Sequence, residues 1–289
     1  MEISAKLVKE LRDRTQAGMM DCKKALQECN GELETAVDWL RQKGLSKAAK
    51  KAGRATSEGV VASKIAADSS AAALVEVMCE TDFVARGDNF QDFSKSVVET
   101  VYDKKPADHD ALMALLGNAV TEQIATLGEN MSVGRHAFMQ VQGNGVIGCY
   151  VHSNGKIGVL VEVRTAKAES AKKPELLELA KNIAMQVAAA NPAALNSDEL
   201  DPALVERERQ VFRQKTLEEG KPENIVDKIV DGRIKKFYQE VCLLNQAYIR
   251  DDKMSISDIA AACGKAVGDE VTVAGFVRLQ LGEGASEEE

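Results

Sequence analysis

The sequence has few aromatic residues and few histidines. Phenylalanine, tryptophan and tyrosine together make up 4% of the 289 residues, and there are 3 histidines. So low an aromatic content argues against a surface on which nucleic-acid bases stack. The net charge of −8 also argues against a general nucleic-acid binder, which would carry a basic domain or stripe. We therefore expect no direct contact with nucleic acid.

Long hydrophobic runs are also missing. No stretch approaches the roughly 18 apolar residues that indicate a membrane-spanning helix, and no basic start followed by an apolar core indicates a secretory signal. The 6 cysteines are scattered and form no Cys-x-x-Cys pair, which favours free thiols in a reducing compartment. We expect a cytoplasmic protein with no membrane partner.

The sequence motifs of several common enzyme classes are absent. The chain has no His-Glu-x-x-His zinc motif, no phosphate-binding loop that ends in Lys and a hydroxyl residue, and no Gly-x-Ser-x-Gly elbow. We therefore expect a protein without covalent chemistry, cofactor or metal of its own. An enzyme that uses Cys79 or His152 is the alternative, although neither residue has an evident base beside it in sequence.

The N-terminal part of the chain has the apolar spacing of three short helices within residues 4–43. The second helix is predicted to begin at Met19 or Met20 and to end near Gly31, and the third to stop near Gly44. Lysines interleaved with small residues follow, which favours a solvated tether, with a basic segment that contacts a partner as the alternative. We assign residues 1–55 to a three-helix module with a basic linker.

A short repeat organises the middle of the chain. The sequence Leu-Val-Glu-Val occurs at 74–77 and again at 160–163, each time at the end of a predicted hairpin, and Asn154-Gly155 marks the second hairpin's turn. Helices are predicted after each hairpin, at 89–102 and 174–190. Two hairpin-plus-helices units predict an α+β core with small antiparallel sheets, each covered by helices on one face. We assign one unit to 56–145 and the other to 146–197 with 241–282.

Residues 198–240 are highly charged and contain a break at Gly220-Lys221-Pro222. Pro222 fits the first position of a helix, so we predict two long antiparallel helices joined by a tight turn. The charge pattern favours a projecting pair, with an ordinary core pair as the alternative. Strands near Tyr248 and over 271–281 are expected to complete the second sheet. Residues 283–289 form an acidic tail that we expect to be disordered.

The four residues Thr81-Asp82-Phe83-Val84 follow a predicted strand and place a carboxylate beside a large apolar ring. One interpretation is structural: Phe83 packs on the core while Thr81 or Asp82 caps a helix. The other interpretation is a rigid wedge, in which an acid and an aromatic anchor enter a pocket of a partner protein. Spacing alone leaves both interpretations open.

Two longer stretches resemble the signature sequences of the elongation factor Ts family. They are LRDRTQAGMMDCKKAL at residues 11–26 and EVMCETDFVAR at residues 76–86. The order of the predicted segments is also that of the family, and the resemblance covers nearly the whole chain. It implies a ubiquitin-associated-like (UBA-like) three-helix module, a duplicated core and a protruding antiparallel coiled coil.

The resemblance implies a guanine-nucleotide exchange factor of translation elongation. Such a protein binds elongation factor Tu in its GDP-bound and nucleotide-free states and promotes GDP release. By the resemblance, Thr81, Asp82, Phe83 and Val84 displace Mg²⁺ from the partner. Phe83 would insert into the partner's nucleotide domain, and Asp82 would lie near the groups that hold the ion.

The same resemblance implies further partner contacts at Met19, Met20 and Lys23 of the N-terminal module and at His152 of the second hairpin. It also allows a homodimer through the coiled coil or the core. The alternative function is a non-exchanging adaptor that binds helices or peptides, because UBA-like modules are general binding devices and a fold alone proves no exchange activity.

Overall fold

The computed structural model describes residues 3–15 and 17–283, and it has an α+β fold. Most of the predicted acidic tail, 284–289, lies outside the described residues. The strands are β1 (Glu58–Ile65), β2 (Ala71–Cys79), β3 (Met131–Gln140), β4 (Asn144–Val151), β5 (Ile157–Thr165), β6 (Ala247–Tyr248), β7 (Asp251–Ser255) and β8 (Val271–Gln280). The helices are α1 (Ala5–Thr15), α2 (Met19–Glu28), α3 (Leu33–Ala49), α4 (Asp82–Arg86), α5 (Asp88–Lys104), α6 (His109–Leu116), α7 (Ala119–Leu127), α8 (Pro174–Ala190), α9 (Pro202–Glu218), α10 (Glu223–Val241) and α11 (Ile256–Val267).

Two three-stranded antiparallel sheets form the centre of the molecule. The first has the order β1-β2-β3 and the second β4-β5-β8. β8 completes the second sheet as expected, whereas β6 pairs with β7 in a separate hairpin, so the expectation for Tyr248 was wrong. Strand β3 was not predicted from the sequence, because its pairing with β2 contains a bulge between Val75 and Val77 and bulges break the alternation that marks a strand.

The repeated Leu-Val-Glu-Val sequence lies on the central strand of each sheet. Because successive strand residues face opposite sides, its leucine and glutamate face one way and its two valines the other. Leu74 and Leu160 pack together in an apolar core between the two sheets. The valines of the first copy pack with α5, and those of the second pack with α8. The layers therefore run helices, sheet, sheet, helices.

The two repeat glutamates are buried and take part in contacts between the two sheets, Glu162 directly and Glu76 through Arg135. Glu76 accepts hydrogen bonds from Arg135, at 2.9 Å from its backbone N and 3.2 Å from its Nε. Arg135 also donates from Nη2 to the carbonyl of Gln280 in the second sheet, at 2.8 Å. Conversely, Glu162 of the second sheet accepts from the backbone N–H of Gln142, just past the first sheet, at 2.8 Å. We call this reciprocal arrangement the carboxylate clamp.

The Glu162 half of the clamp carries a perturbed carboxyl group. Burial would raise the pKa of Glu162, but hydrogen bonds from Arg164, at 2.7 and 3.0 Å, and from Gln142 outweigh it and lower the pKa. A carboxyl whose folded-state pKa is lowered stabilises the fold above its unfolded-state pKa. Its contribution is therefore present at neutral pH and is lost as the pH falls through the folded-state pKa.

The N-terminal helices α1 to α3 enclose a small core of their own, with Leu11 and Leu26 fully buried in it. The predicted end of α3 near Gly44 was wrong, because the helix continues to Ala49. Gly44 permits a close approach to α7, since a Cβ there would lie 3.2 Å from the Ala125 Cβ. Ala48, one turn later, is buried against the first sheet's helical core.

The basic segment after α3 is attached to the core. Arg54 Nη1 lies 3.3 Å from Glu80 Oε1, and the Arg54 carbonyl accepts from Asn130 Nδ2 at 2.7 Å. These contacts contradict the solvated tether that the composition favoured. Composition failed here because small residues such as Gly44 and Ala48 are typical both of linkers and of helices that pack closely.

Helices α9 and α10 form an antiparallel pair. Arg209 is ion-paired with Asp231 at 2.7 Å, and Arg213 is ion-paired with Asp227. The later residue of α9 thus pairs with the earlier residue of α10, so the two helices run in opposite directions. Pro222 is the residue that precedes α10 and not its first residue, a shift of one position from the prediction. Apolar side chains line the contact between the helices: Phe212, Val226, Val230 and Ile234.

Across 3–15 and 17–283, no helix combines the length and the apolar character needed to cross a bilayer. Within the same ranges, no three or more His, Cys, Asp and Glu side chains are arranged to hold a metal ion.

Candidate partner-binding site

Residues 81–84, which we call the tip, are Thr81, the residue before α4, and the first three residues of α4. Thr81 is the N-cap of α4, and its hydroxyl accepts from the Val84 N–H at 3.4 Å. Val84 packs against the first sheet's helical core, whereas Phe83 is 86% exposed. The structural interpretation of the tip is therefore correct for capping by Thr81 and wrong for packing of Phe83. An aromatic ring this exposed has little to contribute to the fold.

Asp82 stands beside Phe83 in the first turn of α4. Its carboxylate is ion-paired with Arg86, with Oδ2 to Nη2 at 3.0 Å, and both side chains are substantially exposed. Exposed pairs of this kind contribute only about 0.2–1 kcal/mol. The carboxylate can therefore exchange its partner at low cost, and the tip presents an acid and an aromatic ring together.

The base of the tip is held rigidly by groups that are distant in sequence. Both carboxylate oxygens of Glu129 accept from Thr81, from its backbone N–H at 3.0 Å and from its hydroxyl at 2.7 Å. The Cys79 thiol donates to the Thr81 carbonyl at 3.2 Å. Glu129 was not predicted as a site residue, because a contact between positions 48 apart leaves no signal in local spacing.

Cys79 has the environment of a structural thiol. It is fully buried, and this burial, together with the charge of Glu129, raises the pKa of Cys79 to about 11. The thiolate is the nucleophilic form of cysteine, so a Cys79 that stays protonated at neutral pH is unsuited to nucleophilic chemistry. In the structure the Cys79 thiol serves as a hydrogen-bond donor to the Thr81 carbonyl.

We expect Cys79 to resist alkylation in the folded protein. Its raised pKa leaves about a hundredfold less thiolate than an ordinary cysteine has at pH 8. Iodoacetamide labelling at pH 8, followed by peptide mass spectrometry, should show Cys79 reacting at least about a hundredfold more slowly in the native protein than in denaturant. Equal rates in the two conditions would contradict the buried, protonated thiol.

His152 lies at an exposed turn, residues 152–156, between β4 and β5. This turn rests on β1: the Gly155 carbonyl accepts from the Val61 N–H at 2.7 Å, and Lys156 Nζ lies 2.8 Å from Glu58 Oε2. Glu58 pairs with the last residue of β2, immediately before the tip. The structure therefore places the His152 turn and the tip at the same end of the two sheets, although residue 152 comes 68 positions after residue 84 in the sequence.

Met19, Met20 and Lys23 lie on α2 in the separate N-terminal module. All three are exposed, and the two methionines have 58% and 74% of their surface accessible. Asp21, between them, binds Lys47 at 2.8 Å and Lys43 at 3.1 Å on α3, and these hydrogen bonds, with Lys47's the larger, lower the pKa of Asp21. Helix α2 is thus attached to α3, which in turn packs on α7.

Comparison with known proteins assigns the family. The model of the family described as "Elongation factor TS" matches residues 80–283, which include the whole tip and the second sheet, but not β1 or β2 of the first sheet. The elongation factor Ts of Desulfovibrio desulfuricans is 61% identical over 280 residues, covering 96% of this chain and 98% of that protein. The chain belongs to the elongation factor Ts family.

The likeness extends to more distant members and spans both chains in full or nearly so. Elongation factor Ts of Nitratidesulfovibrio vulgaris is 58% identical over 289 residues, covering 100% of this chain and 99% of the relative. That of Clostridium perfringens is 46% identical over 294 residues, covering 99% and 95%. The resemblance seen in the two signature stretches is therefore confirmed, and the chain is an elongation factor of protein biosynthesis.

Proposed function

We propose that the chain is a guanine-nucleotide exchange factor for elongation factor Tu and acts in the cytoplasm. The observation that carries the proposal is Phe83, almost fully exposed beside Asp82 on a turn whose base is pinned by hydrogen bonds. An exposed aromatic on a rigid support is suited to enter a pocket of another protein, where aromatic residues dominate binding energy. Family membership supplies the partner.

The proposed mechanism is displacement of Mg²⁺ from the partner's nucleotide site. A bound Mg²⁺ is the largest local positive charge beside the phosphates, so its loss weakens nucleotide binding. Phe83 enters the nucleotide domain, and the Asp82 carboxylate competes for groups that hold the ion. The tip must bind the ion-free state better than the loaded one, since a ligand shifts an equilibrium only by its differential affinity. Reciprocally, GDP weakens binding of the exchange factor.

The size of the effect requires more than one contact. Accelerating release by about 10⁴-fold lowers the barrier by roughly 5.5 kcal/mol, whereas one buried aromatic anchor contributes about 2–4 kcal/mol. We assign the remainder to Met19, Met20 and Lys23 on α2 and to His152. Support for His152 comes from its turn, which lies at the same end of the sheets as the tip.

The finer architecture belongs to this proposal. Helices α1 to α3 act as a UBA-like binding module, and α9 with α10 act as a projecting coiled coil with its charged outer face in solvent. Exposed apolar residues near the turn of that pair, Leu217 and Ile225, offer a surface for self-association. A homodimer through the pair or through the core follows as an expectation for sedimentation analysis.

The direct test is nucleotide release. Elongation factor Tu loaded with a fluorescent GDP is mixed with the protein and excess unlabelled GDP in a stopped-flow instrument. We expect release to accelerate with protein concentration to a plateau far above the spontaneous rate. Raising free Mg²⁺ should slow the catalysed reaction if ion displacement is the mechanism. A trace indistinguishable from spontaneous release would end the proposal.

A non-exchanging adaptor is the competing function, and the exposed methionines of α2 are the observation that favours it. Met19→Ala with Met20→Ala in the full chain distinguishes the two functions. An exchange factor so altered loses acceleration and partner binding together. An adaptor loses binding of elongation factor Tu while nucleotide release stays at the spontaneous rate in all samples.

A further inference from the structure

We infer that Glu129 is a positioning residue for the tip, acting through Thr81. The inference rests on the proposed function and adds a residue to it that touches neither the partner nor the nucleotide. Glu129 lies in the short connection from α7 to β3, distant in sequence from the tip. Its two carboxylate oxygens are both directed to one residue, and that residue caps the helix that carries Phe83.

The polar groups of Thr81 are all engaged. Its backbone N–H and hydroxyl both donate to Glu129, and the hydroxyl oxygen also accepts from the Val84 N–H. Its carbonyl accepts from the Ala85 N–H at 3.1 Å and from the Cys79 thiol at 3.2 Å. A residue held at every polar atom has little freedom to rotate, so the direction in which α4 leaves β2 is fixed at Thr81.

A second set of hydrogen bonds runs parallel to the first. The Asn130 N–H donates to Glu80 Oε1 at 2.6 Å, so residues 80 and 81 bind residues 130 and 129 respectively. Gly128 ends α7 with a φ of 80°, a left-handed conformation that favours glycine, and this turns the chain so that Glu129 meets Thr81. We call the four residues 80, 81, 129 and 130 the bracket.

The charges of the bracket are balanced locally. Arg54 is ion-paired with Glu80, and Lys51 lies within electrostatic reach of both Glu80 and Glu129. Burial, followed by the nearby Arg54 charge, lowers the pKa of Lys51, and the two carboxylates oppose that shift. The basic residues that the composition assigned to a tether thus neutralise the carboxylates that hold the tip.

The bracket matters because α4 cannot orient itself. The helix has 5 residues, far below the roughly 12 at which an isolated helix becomes marginally stable. Without Glu129, the tip samples other directions and must be ordered at each encounter with the partner. Misplacement of a binding group lowers the rate of the step that depends on it by up to about a hundredfold, and we expect about a tenfold loss here.

The experiment is epistasis in the full-length protein. Glu129→Ala is measured alone and combined with Phe83→Ala, with the maximal rate of fluorescent GDP release from elongation factor Tu as the readout. Alone, Glu129→Ala should lower that rate about tenfold. Combined with Phe83→Ala it should cause no further loss of rate, because the direction of the tip no longer matters once the Phe83 ring is absent. General damage to the fold would instead lower the rate by the same factor in both backgrounds.

Matched variants complete the design. Thr81→Val removes the hydroxyl and should reproduce the loss caused by Glu129→Ala, whereas Thr81→Ser retains the hydroxyl and should lose less than Thr81→Val. Glu99→Ala, an exposed glutamate of α5, controls for loss of one negative charge. If Glu129→Ala fails to fold, as judged by thermal unfolding, the comparison of Thr81→Val with Thr81→Ser carries the same test.

The outcomes separate this inference from the proposed function. No acceleration by the unsubstituted protein overturns the exchange activity itself. Full acceleration by Phe83→Ala overturns the role of the tip. Loss with Phe83→Ala, but an unchanged rate with both Glu129→Ala and Thr81→Val, overturns the positioning role alone, and so does an equal loss from Glu129→Ala in both backgrounds.

Discussion

Phe83→Ala should abolish most of the acceleration of nucleotide release while the free energy of unfolding changes by less than about 0.5 kcal/mol. The ring is 86% exposed and contributes little to the folded state. In the complex, by contrast, a buried aromatic anchor is worth about 2–4 kcal/mol, and the lower figure already corresponds to about a thirtyfold loss of rate. Asp82→Ala should cause a smaller loss, because its carboxylate already has an internal partner in Arg86.

Stopped-flow release of fluorescent GDP from elongation factor Tu measures the rate, and chemical denaturation measures the stability. Leu115→Ala is the matched control, since Leu115 is another exposed apolar side chain, on α6. Normal exchange by Phe83→Ala would place the partner-disturbing group elsewhere in the chain. A large loss of stability would mean that Phe83 packs against the protein in solution.

Glu76→Ala should lower the free energy of unfolding by about 3 kcal/mol, because it leaves Arg135 without its buried carboxylate partner. Removing one member of a buried pair costs about 3–5 kcal/mol, and the partial exposure of Arg135 sets the expectation at the low end. For a chain of this size the melting temperature should fall by about 6–12 °C. Nucleotide exchange at low temperature should also weaken, because the tip and the His152 turn extend from different sheets.

Calorimetry and urea denaturation measure this loss. Glu99→Ala, which removes an exposed carboxylate, should stay within about 0.5 kcal/mol of the unsubstituted protein. Replacing both Glu76 and Arg135 by methionine should restore much of the stability, since well-packed apolar residues often substitute for a buried ion pair without loss. A cost below about 0.5 kcal/mol for Glu76→Ala would mean that the carboxylate clamp does not hold the sheets together.

Local signals in the sequence were sufficient to predict the helices and turns that begin or end at proline, glycine or asparagine. The helix predicted at 174–190 is α8 as observed, because Pro174 opens it and Asn191 ends it in a left-handed conformation. The turn at Asn154-Gly155 joins β4 to β5 as predicted. The repeat predicted two equivalent units. In each central strand, residues alternate between a face that packs on the other sheet and a face that packs on helices.

Long-range contacts set the limit of prediction. β3 was missed because Gly134 and Arg135 interrupt its apolar pattern, and both are there to accommodate Glu76: a Cβ on residue 134 would lie 2.7 Å from Glu76 Oε2. The role of Glu129 and the packing of the His152 turn on β1 depend on pairings that no spacing along the chain reveals. The tip itself was recognisable because its residue types were unusual for their place.

The carboxylate clamp has a mechanical consequence. When a ring is driven into another protein, the reaction force acts equally on the body that carries it, and the softer of the two bodies deforms. The contacts of Glu76, through Arg135, and of Glu162 connect the two sheets and make the body that carries the tip rigid. If the chain acts as proposed, most of the strain generated at the contact should fall on the partner GTPase, because the two linked sheets of this chain bend little.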